Sequence, residues 1–206
     1  MADLDPPGEL GAAERRCAPD DDRGWILVLC TGNVCRSPMA AALLARALAV
    51  RDVNLLVRSA GTLPGGYPAL ADTVAAMAER GLDISRHVSR AAEPADLSGA
   101  ALVLGMAREN VRHAVVLEPA AWPRAFTLKE LVRRGGRTGP RPPGEPLAAW
   151  LGRVQDDRDR AALLGSSEAD DVPDPAGGPR RAYADTAALL DRLTGQLAAL
   201  CWPLRD

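Results

Sequence analysis

An apolar segment at residues 25–29 leads directly into a loop of small and polar residues and then into a helix-forming segment. Its length and its aromatic and β-branched content are typical of a strand buried on both faces. Ser37 and Pro38 suit the N-cap and the first position of a helix over residues 39–50. A buried strand, a loop and a helix form the repeating unit of a parallel sheet, so this segment restricts the chain to an α/β fold.

The same alternation continues to the end of the chain. Further strands are predicted over residues 54–59, 101–105 and 125–127, and helices over residues 68–80, 107–117, 128–134 and 179–200. Strands that alternate with helices form a parallel sheet with helices on both faces. The sequence therefore predicts an α/β fold with three layers, α/β/α, around a four-stranded parallel sheet.

Two stretches do not fit this alternation. Residues 1–22 are rich in proline and acidic side chains and are expected to form a disordered extension. Residues 133–165 form an insert, in which a surface loop rich in glycine, proline and arginine precedes a helix over residues 147–164. Residues 23–206 are expected to form a single domain that carries this insert, and the sequence leaves open whether the insert is a lid, a partner surface or a decoration.

The composition argues against several classes of function. The formal net charge of −2 gives no reason to expect binding to nucleic acid or to an acidic membrane. No apolar run approaches the roughly 20 residues of a membrane-spanning helix, and the N-terminus lacks the basic start and apolar core of a signal peptide. Four cysteines in 206 residues do not make a disulfide framework. A cytoplasmic protein is therefore expected.

Cys30 and Arg36 are separated by five residues, a spacing that suits a phosphate-binding loop. Backbone N–H groups of such a loop turn inward around the oxygens, and the planar guanidinium holds two of them. The following helix adds the positive end of its dipole, which also favours a cysteine thiolate. Gly32 allows close backbone approach, and Asn33 tolerates left-handed geometry. The loop is therefore predicted to bind an oxyanion and to present Cys30 as a nucleophile.

The spacing alone is weak evidence, because Cys17 and Arg23 have the same separation. Three aspartates lie between those two residues and would repel phosphate, and neither a strand nor a helix is predicted beside them. Cys30 differs because a buried strand precedes it and a helix follows Arg36. The alternative for Cys30 is a small buried side chain at the end of a strand, which is common in proteins.

Residues 30–38 read Cys-Thr-Gly-Asn-Val-Cys-Arg-Ser-Pro and resemble the signature of the low-molecular-weight protein tyrosine phosphatases. The resemblance continues in chain order with residues 59–62, 80–85 together with His87, 126–131 and 171–175. It covers the chain from Trp25 onwards apart from the insert. It implies a phosphomonoester hydrolase of the same fold that acts on phosphotyrosine in proteins, without a metal or other cofactor. A monomer is expected.

The resemblance assigns roles to three residues. It makes Cys30 the nucleophile that forms a phosphocysteine, and Arg36 the group that clamps the phosphoryl oxygens and stabilises the transition state. The leaving oxygen must be protonated, and the family places this general acid in an Asp-Pro motif late in the chain, which Asp174 and Pro175 match. Asp171 is the nearest alternative acid, and a solvated aspartate in a turn is the alternative for Asp174.

The other loop residues are expected to support the site. Three of them complete the phosphate-binding loop, namely Thr31, Gly32 and Val34. Asn33 is expected to order the loop through hydrogen bonds. Ser37 is expected to donate a hydrogen bond to the Cys30 sulfur, to cap the helix, or to do both. Cys35 is close enough in sequence to form a reversible disulfide with Cys30, or is a small packed residue.

The aromatic residues of the chain leave its substrate open. Many members of the family have an aromatic residue after the Asp-Pro motif, where it flanks the substrate ring, and this chain has Ala176 there. Tyr67 is either its replacement or a surface loop residue. Phosphatase chemistry therefore has more support from the sequence than phosphotyrosine as the substrate.

Three alternative functions are consistent with a phosphate-binding loop. A protein-arginine phosphatase has the same fold, but its relatives carry a threonine where this loop has Val34. An arsenate reductase of the same fold needs further thiols in the middle of the chain, and no cysteine lies between Cys35 and Cys201. A non-catalytic phosphate-binding module is disfavoured by the joint presence of Cys30, Arg36 and Asp174.

Overall fold

The computed structural model of this protein describes residues 24–204. The extension predicted for residues 1–22 and the pair Cys17 and Arg23 lie outside the described residues. The strands are β1 (Trp25–Cys30), β2 (Leu56–Gly61), β3 (Ala100–Gly105) and β4 (Ala125–Thr127). They form a four-stranded sheet in the order β2-β1-β3-β4, in which every neighbouring pair is parallel.

The helices are α1 (Arg36–Ala49), α2 (Ala71–Ala78), α3 (Pro94–Ser98), α4 (Arg108–Leu117), α5 (Leu128–Thr138), α6 (Leu147–Val154) and α7 (Arg180–Cys201). Short 3₁₀ turns occupy Pro119–Arg124 and Arg160–Leu163. Helices α1, α2, α5, α6 and α7 contribute to the core on one face of the sheet, and α3 and α4 to the core on the other. The predicted three-layer α/β/α fold around a four-stranded parallel sheet is confirmed. Within residues 24–204, none of the helices combines the length and the apolar character that crossing a membrane requires.

Strand β1 lies inside the sheet and is buried on both of its faces. Ile26 and Val28 belong to the apolar cluster that includes α1 and α7, and Leu27 and Leu29 belong to the cluster that includes α4. All four side chains are inaccessible to solvent. Full burial of each such side chain contributes about 1.5–3 kcal/mol, so the strand holds Cys30 firmly at its carboxyl end.

Helix α1 begins earlier than its predicted start. It begins at Arg36 with Cys35 as N-cap, and no side chain caps it, so the prediction that Ser37 caps the helix is wrong. Ser37 instead lies in the first turn, and its hydroxyl bonds the side chains of Cys30 and Asn33. The N–H groups at this helix start are therefore free of side-chain caps and face the loop that precedes them.

The predicted insert contributes to the core. Residues 135–138, predicted as a loop, extend the predicted helix over residues 128–134 to form α5, because burial against α6 outweighs the poor helix propensity of Gly135. Helix α6 ends at Val154 rather than at residue 164, and its Trp150 is fully buried. A Cβ on Gly135 would meet the Trp150 ring at 2.9 Å, so glycine is what allows the two helices to approach this closely.

Candidate active site

The carboxyl end of β1 leads into a loop that folds around the Cys30 sulfur. The Asn33 N–H donates to Cys30 Sγ at 3.2 Å, and the Ser37 hydroxyl lies 3.0 Å from the same sulfur. Cys30 is 2% exposed. The sulfur therefore lies inside the loop, beside the first turn of α1.

Asn33 holds the loop in shape through hydrogen bonds in several directions. Its φ of 53° is in the left-handed region, which asparagine tolerates better than most residues. Its Nδ2 donates to the hydroxyls of Ser37 at 2.8 Å and Ser59 at 3.0 Å, and its Oδ1 accepts the N–H of Arg90 at 3.1 Å. Its carbonyl oxygen lies 2.7 Å from Nε2 of His87, which must therefore be the donor. The loop is thus tied to β2 and to the segment that follows α2.

The Arg36 guanidinium is largely buried, with 7% of its side chain exposed, and lies between two distant parts of the chain. Its Nη2 donates to Asp174 Oδ2 at 2.5 Å and to Thr31 Oγ1 at 3.4 Å, and its Nη1 donates to the Val172 carbonyl at 3.4 Å. Among the described residues, nothing accepts a hydrogen bond from the buried Nε. This donor is thus available to an oxyanion that enters the loop.

The structure brings Asp174, and not Asp171, to the loop. Asp174 is 45% exposed in its side chain, pairs with Arg36 across 138 residues of sequence, and accepts the N–H of Ala176 on its other oxygen at 3.2 Å. Both oxygens of Asp171 are used elsewhere, by the N–H of Arg108 and the N–H of Ser167, each at 2.8 Å. Asp171 therefore shapes the loop of residues 167–174, called the acidic loop below. Asp174 remains beside the Arg36 guanidinium.

A group of ionic contacts fixes the segment that carries Asp174. Asp170 is 5% exposed and accepts hydrogen bonds from Arg108 at 2.8 and 2.6 Å and from Arg133 at 2.6 Å. Burial opposes ionisation of this carboxyl, but hydrogen bonds from Arg133 and Arg108 hold its pKa below the ordinary value. Lys129 donates to the carbonyls of Glu168 and Asp171. Helices α4 and α5 therefore hold the acidic loop in place from two sides.

Comparisons with known proteins give the family of the chain. A model of the low-molecular-weight phosphotyrosine protein phosphatase family matches residues 25–138. The chain is a phosphatase of this family. A probable low-molecular-weight protein-tyrosine-phosphatase of Ralstonia solanacearum is 39% identical over 106 residues, which are 52% of this chain and 71% of the relative.

Two further relatives match over more of the chain. A protein-arginine-phosphatase of Geobacillus stearothermophilus is 30% identical over 177 residues, 84% of this phosphatase and 95% of the relative. The solved structure of a low-molecular-weight protein tyrosine phosphatase of T. tengcongensis is 31% identical, with a TM-score of 0.64 over 84% of this chain and 97% of the other. The family model ends at residue 138, so Asp174 lies outside the residues that it matches.

The second cysteine of the loop in this phosphatase, Cys35, has a raised pKa. Cys35 is buried at the N-cap of α1, and this burial raises the pKa of its thiol to about 11. It is therefore a neutral thiol near pH 7. Neither Cys30 nor Cys35 forms a disulfide in this structure.

The segment after β2 borders the loop through backbone hydrogen bonds. The N–H of Leu63 donates to the Thr31 carbonyl at 3.1 Å, and that of Leu70 donates to the Val34 carbonyl at 3.2 Å. Leu63, Leu70 and Tyr67, which lies between them in sequence, are exposed. Apolar side chains are therefore available beside the loop even though Ala176 follows the Asp-Pro pair. Residues 24–204 contain no group of three histidine, cysteine or acidic residues that is placed to hold a metal ion.

Sequence reasoning missed several residues that support the site. Ser59 and His87 lie in segments that match the family, and that match was a signal for them, but Arg90 reaches Asn33 only through its backbone N–H. Asp170 and its arginine partners carried no signal, because Arg108 and Arg133 lie 62 and 37 residues from Asp170 along the chain.

Proposed function

We propose that this phosphatase hydrolyses phosphotyrosine in proteins through a phosphocysteine formed on Cys30, with Asp174 as general acid and then general base. The observation that supports this most strongly is the hydrogen bond between Arg36 and Asp174. It joins the residue that ends the phosphate loop to an acid 138 positions away, beside a buried cysteine. A cysteine, a phosphate clamp and an acid at one point are the parts that this reaction needs.

Binding uses the loop, Arg36 and the start of α1. The inward N–H groups and the uncapped helix start favour a dianionic phosphoryl group. The guanidinium is planar and its buried Nε is a further donor, so it can hold two phosphoryl oxygens at once. A bound phosphoryl group competes with Asp174 for Arg36, and it thereby releases the carboxyl to act on the leaving oxygen.

The first chemical step transfers the phosphoryl group to Cys30. The sulfur attacks phosphorus, the bond from phosphorus to the leaving oxygen breaks, and protonated Asp174 gives its proton to that oxygen. Negative charge on the sulfur is stabilised by the Asn33 N–H and by the Ser37 hydroxyl.

In the second step water attacks the phosphocysteine. Asp174, now a carboxylate, accepts a proton from this water, the bond between sulfur and phosphorus breaks, and inorganic phosphate leaves. Ser37 lies where its hydroxyl can donate to the departing sulfur. The half-exposed position of Asp174 lets it exchange protons with solvent between turnovers.

Phosphotyrosine as the substrate is supported by three features. Val34 is apolar, Leu63 and Leu70 lie beside the loop, and the relative that is 39% identical over 106 residues is named a probable tyrosine phosphatase. A second candidate is a protein-arginine phosphatase, because the relative with that name matches 84% of this chain. Turnover of phosphotyrosine and phosphoarginine peptides of one sequence would separate the two; faster turnover of phosphoarginine would contradict the tyrosine proposal.

We also propose that the protein acts as a monomer in the cytoplasm. Cys30, Arg36 and Asp174 all belong to one chain, so the site needs no second copy. A reducing compartment keeps Cys30 as the free thiol that the reaction requires. The small net charge of −2 gives no support for a nucleic-acid or membrane partner.

The chemistry is tested with a small aryl phosphate in the presence of a metal chelator. The wild-type protein is expected to hydrolyse it, and Cys30→Ser is expected to reduce the rate to background because serine is a far weaker nucleophile here. Cys35→Ser removes the neighbouring thiol and serves as the matched control, which should retain activity. Full activity in Cys30→Ser would contradict the assignment of the nucleophile.

A further inference from the structure

An exposed carboxylate that the proposed reaction does not use lies at the rim of the phosphate loop. Glu109 is in the first turn of α4, and its Oε1 accepts a hydrogen bond from the Thr31 hydroxyl at 2.8 Å. Thr31 directly follows Cys30 in the loop, and its Oγ1 in turn accepts a hydrogen bond from Arg36 Nη2 at 3.4 Å.

This hydrogen-bond chain links Glu109, through Thr31, to the guanidinium that also pairs with the proposed general acid. Asp174 Oδ2 and Thr31 Oγ1 both bond Nη2 of Arg36. The Thr31 hydroxyl bridges that nitrogen and the Glu109 carboxylate, because it accepts from the first and donates to the second. Asp174 must reach the leaving oxygen, so Glu109 lies close to the part of the substrate that surrounds the phosphorylated side chain.

Within residues 24–204, no cationic side chain pairs with the Glu109 carboxylate. The arginines near Glu109 in sequence, and the arginine of the Cys30 loop, already have partners. Arg108 pairs with Asp170, Arg112 donates to the Leu163 carbonyl, and Arg36 pairs with Asp174.

An unpaired carboxylate next to an anion-binding loop disfavours the bare phosphoryl group, because like charges repel. The arrangement becomes favourable when the substrate brings a cation of its own. The Thr31 hydroxyl holds Oε1 and so fixes the carboxylate at the rim, while Oε2 has no protein partner among the described residues and remains open to a cationic group.

We propose that Glu109 determines substrate specificity by contacting a positively charged side chain next to the phosphorylated residue. The phosphatase then prefers phosphotyrosine sites flanked by arginine or lysine over sites flanked by aspartate or glutamate. This inference rests on the proposed function of the Cys30 loop and adds a substrate class to it. The apolar residues Leu63 and Leu70 border the loop through backbone hydrogen bonds to Thr31 and Val34. The tyrosine ring of the substrate would contact these apolar side chains, and the neighbouring arginine or lysine would contact Glu109.

The test compares two phosphotyrosine peptides that differ only in having arginine or aspartate beside the phosphotyrosine. Wild-type kcat/KM is expected to favour the arginine peptide by about two- to fivefold at low salt, the range of an exposed ion pair. The preference should fade near 1 M salt, where the Debye length is about 3 Å. Glu109→Gln keeps a hydrogen-bond acceptor for Thr31 and should bring the ratio close to one, and Glu109→Lys should reverse it.

Glu118→Gln is the matched control, because it makes the same change of charge at the other end of α4. It should retain the wild-type ratio. Thermal melting of each variant shows that it is folded, and the ratio between peptides is unaffected by a uniform loss of active protein. A wild-type ratio near one, or a preference that survives in Glu109→Gln, would overturn the inference.

The small aryl phosphate separates this inference from the proposed function. It has no flanking residues, so its hydrolysis by the wild-type protein reports only on the Cys30 chemistry. Hydrolysis of this compound without any peptide preference would overturn the specificity role alone. No hydrolysis by the wild-type protein would overturn the proposed function and the inference together.

Discussion

Three aspartates at positions 170, 171 and 174 lie within five residues of one another, yet their surroundings give them different tasks. Asp170 is buried between two arginines, Asp171 accepts two backbone N–H groups, and Asp174 is half-exposed and faces Arg36. Proton transfer needs a carboxyl that reaches both the substrate and the solvent. Asp174 is the one of the three with that position.

This difference predicts the effect of removing each acid. Asp174→Asn should slow hydrolysis of an alkyl phosphate, which has a poor leaving group, by about 10²- to 10⁴-fold, and that of a nitrophenyl phosphate much less. Asp171→Asn is the matched control and should change both rates to a similar, small extent, because its oxygens only shape the loop. The measurement is kcat against leaving-group pKa. A steeper dependence in Asp171→Asn than in Asp174→Asn would show that the acid is misassigned.

At the scale of elements, the loop that carries Asp174 is held by the helices on either side of it. Asp170 joins Arg108 of α4 to Arg133 of α5, and the Val172 N–H donates to the Met106 carbonyl at 2.7 Å. Val172 is buried and its carbonyl accepts a hydrogen bond from Arg36. Asp174, the proposed general acid, therefore needs little ordering when substrate binds, since the loop is already in position.

Asp170→Asn should weaken this attachment. The free energy of unfolding is expected to fall by about 1–3 kcal/mol near pH 7. This loss is smaller than that from breaking a fully buried ion pair, because Arg133 is half-exposed. The pKa of Asp170 lies below its ordinary value of about 3.9, so its contribution to stability is present above that pH and is lost as the pH falls through the lowered folded-state pKa. The free energies of unfolding of the wild-type protein and Asp170→Asn, measured by chemical denaturation, should therefore converge in strongly acidic solution.

The same variant should also lower kcat, and more for poor leaving groups, because Asp174 loses its fixed position. Asp191→Asn is the matched control: Asp191 also lies beside two arginines, Arg46 and Arg80, but it is on α7 and does not contact the acidic loop. It should leave the leaving-group dependence unchanged. An equal change of that dependence in both variants would contradict a positioning role for Asp170.

At the scale of the whole molecule, the segment at 133–165 packs into the core at several points along its length. Trp150 of α6 is fully buried against Gly135 of α5, and Leu200 of α7 lies on the same surface. Arg158 stacks on the rings of Trp122 and Phe126 at about 4 Å and pairs with Glu130. The sheet, α7 and this segment should therefore unfold together.

Two neighbouring glycines of α5 provide a test of that packing. Alanine at Gly136 meets no atom within 4 Å, so it should stabilise the protein by up to about 1 kcal/mol through helix propensity. Alanine at Gly135 gains the same propensity but pushes its Cβ into the Trp150 ring. It should therefore be less stable than Gly136→Ala by about 1–3 kcal/mol, as measured by chemical denaturation. Equal stability of the two variants would show that α6 does not pack tightly on α5.

Much of the site could be predicted because its first half is local in sequence. A buried strand, a loop with a cysteine and an arginine, and a helix start lie within about 25 residues, so periodicity and residue chemistry were enough to predict the strand, the sheet and the loop around Cys30. The prediction that Ser37 caps α1 was wrong because the hydroxyl bonds Cys30 and Asn33, which are brought to it only by the folded loop. The boundary of α5 was wrong because Gly135 is placed in a helix by its contact with Trp150.

The sequence by itself therefore determined the α/β architecture and the position of Cys30 and Arg36 between β1 and α1. Only the tertiary structure decided which aspartate pairs with Arg36, how α4 and α5 hold the acidic loop, and that Glu109 meets Thr31 at the rim. The physical reason is distance along the chain. Local periodicity records which face of an element is buried, but contacts between residues 40 to 140 positions apart depend on how the elements pack around the sheet.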